Sequence, residues 1–171
     1  MEKLFFVFTV VGLLLFTSCG DDDDTPIILG SGVTVTNTFT GVAQTDGVET
    51  TIEDFFGQPE GSLAATTTVS SAVEFPGYLL GLYDIDIDES SISFELTAAA
   101  DDPTYMNFFR TLEQGTTDRY YFEFDKNQNV NDFSSSNSSV NFRMDSDKVM
   151  VVEIGEGFNF NPGSSFTITL N

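Results

Sequence analysis

From Val33 onward, apolar and polar residues alternate in short runs with a period of two, which is the period of a strand with one buried face. Val33 to Thr40 (VTVTNTFT) is the clearest run, and its β-branched residues suit a pleated surface. Leu63 to Phe75 predicts one or two strands. Leu79 to Asp88 and Ser91 to Thr97 predict a hairpin turning across Asp88-Glu89-Ser90-Ser91. Its parity sends Ile85, Ile87, Ile92, Phe94 and Leu96 to one face and Asp84, Asp86 and Asp88 to the other. Arg119 to Asp125, Ser139 to Met144, Lys148 to Ile154 and Ser165 to Leu170 complete the predicted strands. In the first of these, Tyr120, Phe122 and Phe124 point inward, while Arg119 and Tyr121 point outward. Ser134 to Ser139 (SSSNSS) reads as a low-complexity loop.

Helical spacing is confined to two places. Asp102 is a capping residue, Pro103 suits the first helical position, Gly115 suits the stop, and Tyr105, Phe108, Phe109 and Leu112 share one face between them. A shorter helix is expected over Glu49 to Phe56. Many short strands broken by Gly, Asn, Asp and Ser clusters predict an all-β fold for residues 33–171. The expectation is a single antiparallel β-sandwich, of Greek-key (immunoglobulin-like) or jelly-roll type, with one or two short helices over an open end.

The first residues follow another logic. Lys3 precedes an apolar run from Leu4 to Phe16, too short to span a bilayer as a helix and suited to the core of a secretory signal. Thr17 and Ser18 then lead into Cys19, the single cysteine of the chain. Leu15 to Cys19 resembles the lipobox of bacterial lipoproteins, although Phe16 stands where leucine is usual. The resemblance implies cleavage after residue 18 and a lipid-modified Cys19 as the membrane anchor. Several acyl chains on one residue hold a protein stably without a spanning helix. Asp21, Asp22, Asp23 and Asp24 repel one another and stay solvated, so they make a tether. An acidic run at that place resembles the export signal of Bacteroidota surface lipoproteins. It implies the outer face of the cell outer membrane, with a periplasm-facing anchor as the alternative. Residues 1–18 are thus expected as signal, 19–32 as lipidated acidic linker and 33–171 as the domain.

Charge narrows the partners. The chain carries 27 acidic and 6 basic residues and no histidine, a net charge of −21. Nucleic-acid binding needs lysine and arginine to displace counterions from phosphates, so that class is excluded. Catalysis has little to work with. There is no imidazole base, and once Cys19 is acylated there is no thiol nucleophile. No G-x-S-x-G elbow occurs.

The sharpest chemical pattern is Asp84-Ile-Asp86-Ile-Asp88 with Glu95 eleven residues after Asp84. Alternating oxygen ligands and a late glutamate match several positions of a calcium loop, and calcium is the candidate cofactor. Glu89 stands where the helix–loop–helix calcium motif needs glycine, and the flanks are strands, so that motif is rejected. What remains is either a calcium site of another kind or a strand with one solvated acidic face. Asp125 to Asp132 repeats the alternation with amides, whose lower charge suits a loop. Tyr121 and Arg119 are the candidate ligand residues, because an outward tyrosine can stack on a sugar ring.

The expected function is therefore a surface lipoprotein with a non-catalytic module that binds a glycan or an envelope protein. An accessory subunit of an envelope assembly is the alternative, and a carboxylate-based glycoside hydrolase a weaker one. The anchor is directly testable. Cys19→Ser should abolish metabolic labelling with a fatty-acid analogue and release the protein from the membrane fraction. Unchanged labelling of that variant would refute lipidation at Cys19.

Overall fold

The computed structural model describes residues 29–45, 48–97, 118–155 and 157–171. The predicted signal, its lipidation and export residues and the predicted helix at 102–115 lie outside these. Among the described residues, twelve strands and two short helices follow in chain order. The strands are β1 (Thr34–Thr40), β2 (Val42–Thr45), β3 (Val48–Thr51), β4 (Ala65–Thr68), β5 (Phe75–Gly77), β6 (Tyr83–Asp88), β7 (Ser91–Leu96), β8 (Asp118–Phe124), β9 (Phe133–Ser135), β10 (Val140–Ser146), β11 (Val149–Ile154) and β12 (Ser165–Leu170). The helices are α1 (Ile52–Phe55) and α2 (Tyr78–Gly81).

Two five-stranded antiparallel sheets make the expected all-β sandwich. One runs β10-β11-β8-β1-β4 and the other β5-β6-β7-β12-β9, while β2 and β3 form a separate ribbon. Alternation decides which face of each strand enters the core. Val35, Asn37 and Phe39 of β1 and Asp118, Tyr120, Phe122 and Phe124 of β8 face inward. Tyr83, Ile85, Ile87, Ile92, Phe94 and Leu96 meet them from the β6–β7 hairpin. Phe166, Ile168 and Leu170 of β12 extend the same layer.

Aromatic rings interlock the two sheets. Phe94 stacks on Phe166 with centroids 4.6 Å apart and the planes 16° from parallel. It meets Tyr120 at 5.1 Å and Phe122 at 6.0 Å edge to face, so one ring of β7 touches two of β8 across the sandwich. Offset-stacked and perpendicular pairs are the favoured arrangements of ring quadrupoles and add to the burial itself.

Several local expectations differ from what forms. The predicted helix at Glu49–Phe56 is only α1, because Val48–Thr51 pairs with β2 first. Thr51 then caps α1, its Oγ1 accepting from the Asp54 N–H at 3.2 Å. The serine-rich stretch is not all loop, since Phe133–Ser135 pairs with β12 at the sheet edge. The strand expected from Leu79 starts at Tyr83 instead. Before it, Gly77, Leu79, Leu80 and Gly81 all have positive φ. Such a turn costs L-residues about 1–2 kcal/mol each, and burial of Leu79 offsets part of it.

Carboxylates finish the open edge of β6, where β5 pairs only through Phe75 and Ile85. Glu74 is buried, and its Oε2 accepts from the Ile87 N–H at 2.7 Å while Oε1 accepts from the Ser70 N–H at 2.8 Å. Asp84 Oδ1 accepts from the Gly77 N–H at 2.7 Å. Side chains thus satisfy backbone donors that a longer neighbouring strand would have taken.

The interlocked rings give a stability test. Phe94→Ala removes the ring that bridges both sheets and should destabilise the fold by about 3–5 kcal/mol in denaturant titration. A loss under about 1 kcal/mol would mean that the sheets do not depend on this contact.

Candidate functional site

Alternation leaves the outer face of the first sheet as a grid of polar side chains. Strand register sets its rows. Arg143, Val151, Tyr121 and Thr38 lie side by side across β10, β11, β8 and β1. The adjacent row is Asn141, Glu153, Arg119 and Thr40. On the other side come Val149, Glu123, Thr36 and Thr66, the last two joined through their hydroxyls at 2.9 Å. Both sequence-predicted ligand residues, Arg119 and Tyr121, therefore belong to one face and point outward as expected.

Ion pairs hold the grid in place. Glu153 Oε1 receives the Arg119 Nε–H at 3.0 Å and an Arg143 N–H at 2.9 Å. Arg143 also lies 3.7 Å from Asp145. The arginine side chains stay 48% and 43% exposed, so these pairs add at most about 1 kcal/mol each to stability. Their effect is orientation. Each guanidinium keeps unused N–H donors, and each is fixed in direction by the shared carboxylate. Val151 is fully buried although it lies on this outer face and outside the main core. Its cross-strand neighbours Arg143 and Tyr121 are placed to close over it. Tyr121 is half-buried and presents its ring on the same face, two residues along β8 from Arg119 and across Val151 from Arg143.

The hairpin carboxylates behave otherwise. Asp84, Asp86 and Asp88 line the outer face of β6, and Glu95 stands directly opposite Asp84 on β7. Asp84, Asp86 and Glu95 border a shallow trough with Ser93, Ser165 and Thr167. Partial burial, then the charges of Asp88 and Glu74, raise the Asp86 carboxyl above its ordinary range. Among the described residues no group of three or more His, Cys, Asp or Glu is arranged to hold a metal ion. The alternation that resembled a calcium loop distributes its oxygens along a strand.

A second polar group lies inside the sandwich, where no motif pointed. Asp118 is 2% exposed, and neither carboxylate oxygen has a hydrogen-bond partner. The hydroxyls of Tyr83 and Tyr120 are equally buried, beside one another and with no partner outside the pair, their rings 5.6 Å apart. Burial drives the Asp118 carboxyl well above its ordinary range. Burial first raises both tyrosines as well, followed by the charge of Asp118 for Tyr83 and by Tyr83 and then Asp118 for Tyr120. Asn37 is also buried with an unpartnered side-chain amide, and its backbone carbonyl accepts from the Tyr78 hydroxyl at 3.5 Å.

Arg143, Glu153 and Asp118 are the residues that sequence reasoning missed. Parity was the available signal. Arg143 and Glu153 fall on outward positions of β10 and β11, and Asp118 continues the inward series of Tyr120, Phe122 and Phe124 one step back. No family model matches the chain, and neither a curated protein nor a solved structure matches it.

Asp118 gives a pH prediction. A carboxyl raised in the fold binds its proton more tightly folded than unfolded. That stability is fully present below the unfolded value of about 3.9 and is lost as pH rises toward the folded value. The facing groups Tyr78, Tyr83 and Tyr120 stay neutral across this window, since burial raises all three. In buffers whose only cation is tetramethylammonium, the melting temperature should therefore fall more steeply from pH 4 to 7 for the wild type than for Asp118→Asn. Parallel profiles would contradict a raised carboxyl.

Proposed function

We propose that the domain is a non-catalytic glycan-binding module, held at the outer membrane surface through lipid on Cys19. The observation that carries this reading is the pair of rows Arg143–Val151–Tyr121–Thr38 and Asn141–Glu153–Arg119–Thr40 on one open sheet face. A sugar presents an apolar ring face and a rim of hydroxyls. Tyr121 supplies the flat surface for the first, and salt-bridged planar groups supply fixed donors and acceptors for the second. Neighbouring strands are about 4.8 Å apart, so the four that carry these rows offer about 14 Å of surface, enough for a short run of sugar units.

Charge favours a neutral polysaccharide. The two arginines are offset on the same face by Glu153, Asp145 and Glu123, and the whole chain carries −21. An acidic glycan would meet that field without compensation. The accessory-subunit reading asks for a continuous apolar face. The large apolar residues most exposed among those described, Val73, Leu80 and Phe133, come from three separate segments.

Affinity electrophoresis against a panel of neutral polysaccharides tests the proposal. At least one should retard the protein, and Tyr121→Ala and Arg119→Ala should each weaken binding at least about tenfold, equivalent to about 1.4 kcal/mol. The melting temperature of Arg119→Ala should stay close to that of the wild type, since its exposed ion pair contributes little to stability, while Tyr121→Ala lowers it somewhat by uncovering Val151 and is compared at a temperature where both are folded. Absence of any retarding polysaccharide, or wild-type retardation of both variants, would overturn the reading.

A further inference from the structure

Asp118 has two buried carboxylate oxygens without a hydrogen-bond partner, and the buried hydroxyls of Tyr83 and Tyr120, whose rings lie 5.6 Å apart, are near enough to feel its charge. A buried carboxylate needs a positive charge or a proton, and buried hydroxyls need partners. No described cation supplies either. Arg119 and Arg143 are engaged on the opposite side of their sheet by Glu153, Lys148 donates to the Asp125 carbonyl at 2.9 Å, and Lys126 lies exposed in a loop. Oxygen-only ligands are what hard cations take. One carboxylate among neutral oxygens sets the charge that matches, because a monovalent ion leaves the site neutral while a divalent one leaves it positive.

A solvent-facing cavity lies beside the site, separated from it by Gly41 and Phe39. Asp118 lies against Gly41, where a β-carbon would sit 3.2 Å from its Oδ1 and 2.4 Å from the Phe39 ring. Gly41 and Phe39 also line a cavity of about 390 Å³ that opens to solvent, with Glu53, Asp54 and Glu60 among its walls. Only glycine lets the Phe39 ring and the carboxyl approach the chain together. The acidic walls concentrate cations at the entrance.

We propose that Asp118, Tyr83 and Tyr120 form an internal site for a monovalent metal cation, sodium or potassium, entered past Gly41 from the acidic cavity. The ion ties the first strand position of β8 to that of β6 and so joins the two sheets at this end. It acts on the fold and is independent of the glycan-binding face.

The test is the melting temperature of the full-length protein at pH 7 and constant ionic strength. Sodium or potassium chloride replaces tetramethylammonium chloride, whose cation is too large to enter. Constant ionic strength removes the general screening of so acidic a chain. Exchange for sodium or potassium should raise the midpoint by about 5 °C once the ion is near a hundredfold excess over its dissociation constant. Asp118→Asn should show no dependence on the identity of the cation, and Tyr120→Phe should show a smaller one, which keeps the test valid if the first variant does not fold. Equal midpoints in all three salts would overturn the proposal and leave a proton as the neutraliser of Asp118. A wild-type ion response in both variants would overturn it too.

Discussion

Phe94 lies on Phe166 within its own sheet and sets its edge against Tyr120 and Phe122 of the other, and on that contact the two layers depend. Tyr83 against Tyr120 and Phe75 against Phe122 continue the same seam, and the chain has no covalent link to add to it. It has one cysteine, so no internal disulfide, and no tryptophan. Its net charge of −21 works against compaction. Interdigitated aromatic and branched side chains must supply the cohesion, and alternation along β6, β7, β8 and β12 places them on facing surfaces.

The same alternation frees the opposite faces. Because most inward positions are apolar, outward positions can carry charge or hydroxyl without loss of core. On the second sheet those positions became Asp84, Asp86 and Asp88, a partly buried acidic row. On the first they became a grid in which Glu153 holds two arginines on either side of Val151 and Tyr121. Two of the few cations in the chain thus lie together on one surface, at almost no cost or gain in stability.

Two departures from the pattern mark where the fold carries strain or unmet polarity. Leu79 and Leu80 adopt left-handed backbone between two glycines so that the chain can enter β6 from the sheet edge. Asp118 occupies an inward position that its strand neighbours fill with rings. Native interiors seldom retain an unpartnered carboxylate, and this one sits where Gly41 leaves the backbone bare beside an acidic cavity.

The sandwich class, most strands, the inward row Tyr120–Phe122–Phe124 and the outward Arg119 and Tyr121 were all legible in the sequence, because each depends on a period of two within a few residues. The short strands β3 and β9 were not. Their pairing with β2 and β12 comes from neighbours and not from their own composition, and serine-rich Phe133–Ser135 has the look of a loop until a strand edge captures it. The tertiary structure alone decided that Arg143, Glu153 and Arg119, far apart in sequence, meet on one face. The hairpin that carries Asp84 to Glu95 was legible as well, while the register that sets Glu95 opposite Asp84 came from the tertiary structure. It alone left Asp118 without a partner. Local parity determines which side of a strand a residue takes. Which residues become neighbours depends on strand order and register, and those follow from long-range packing that no local window contains.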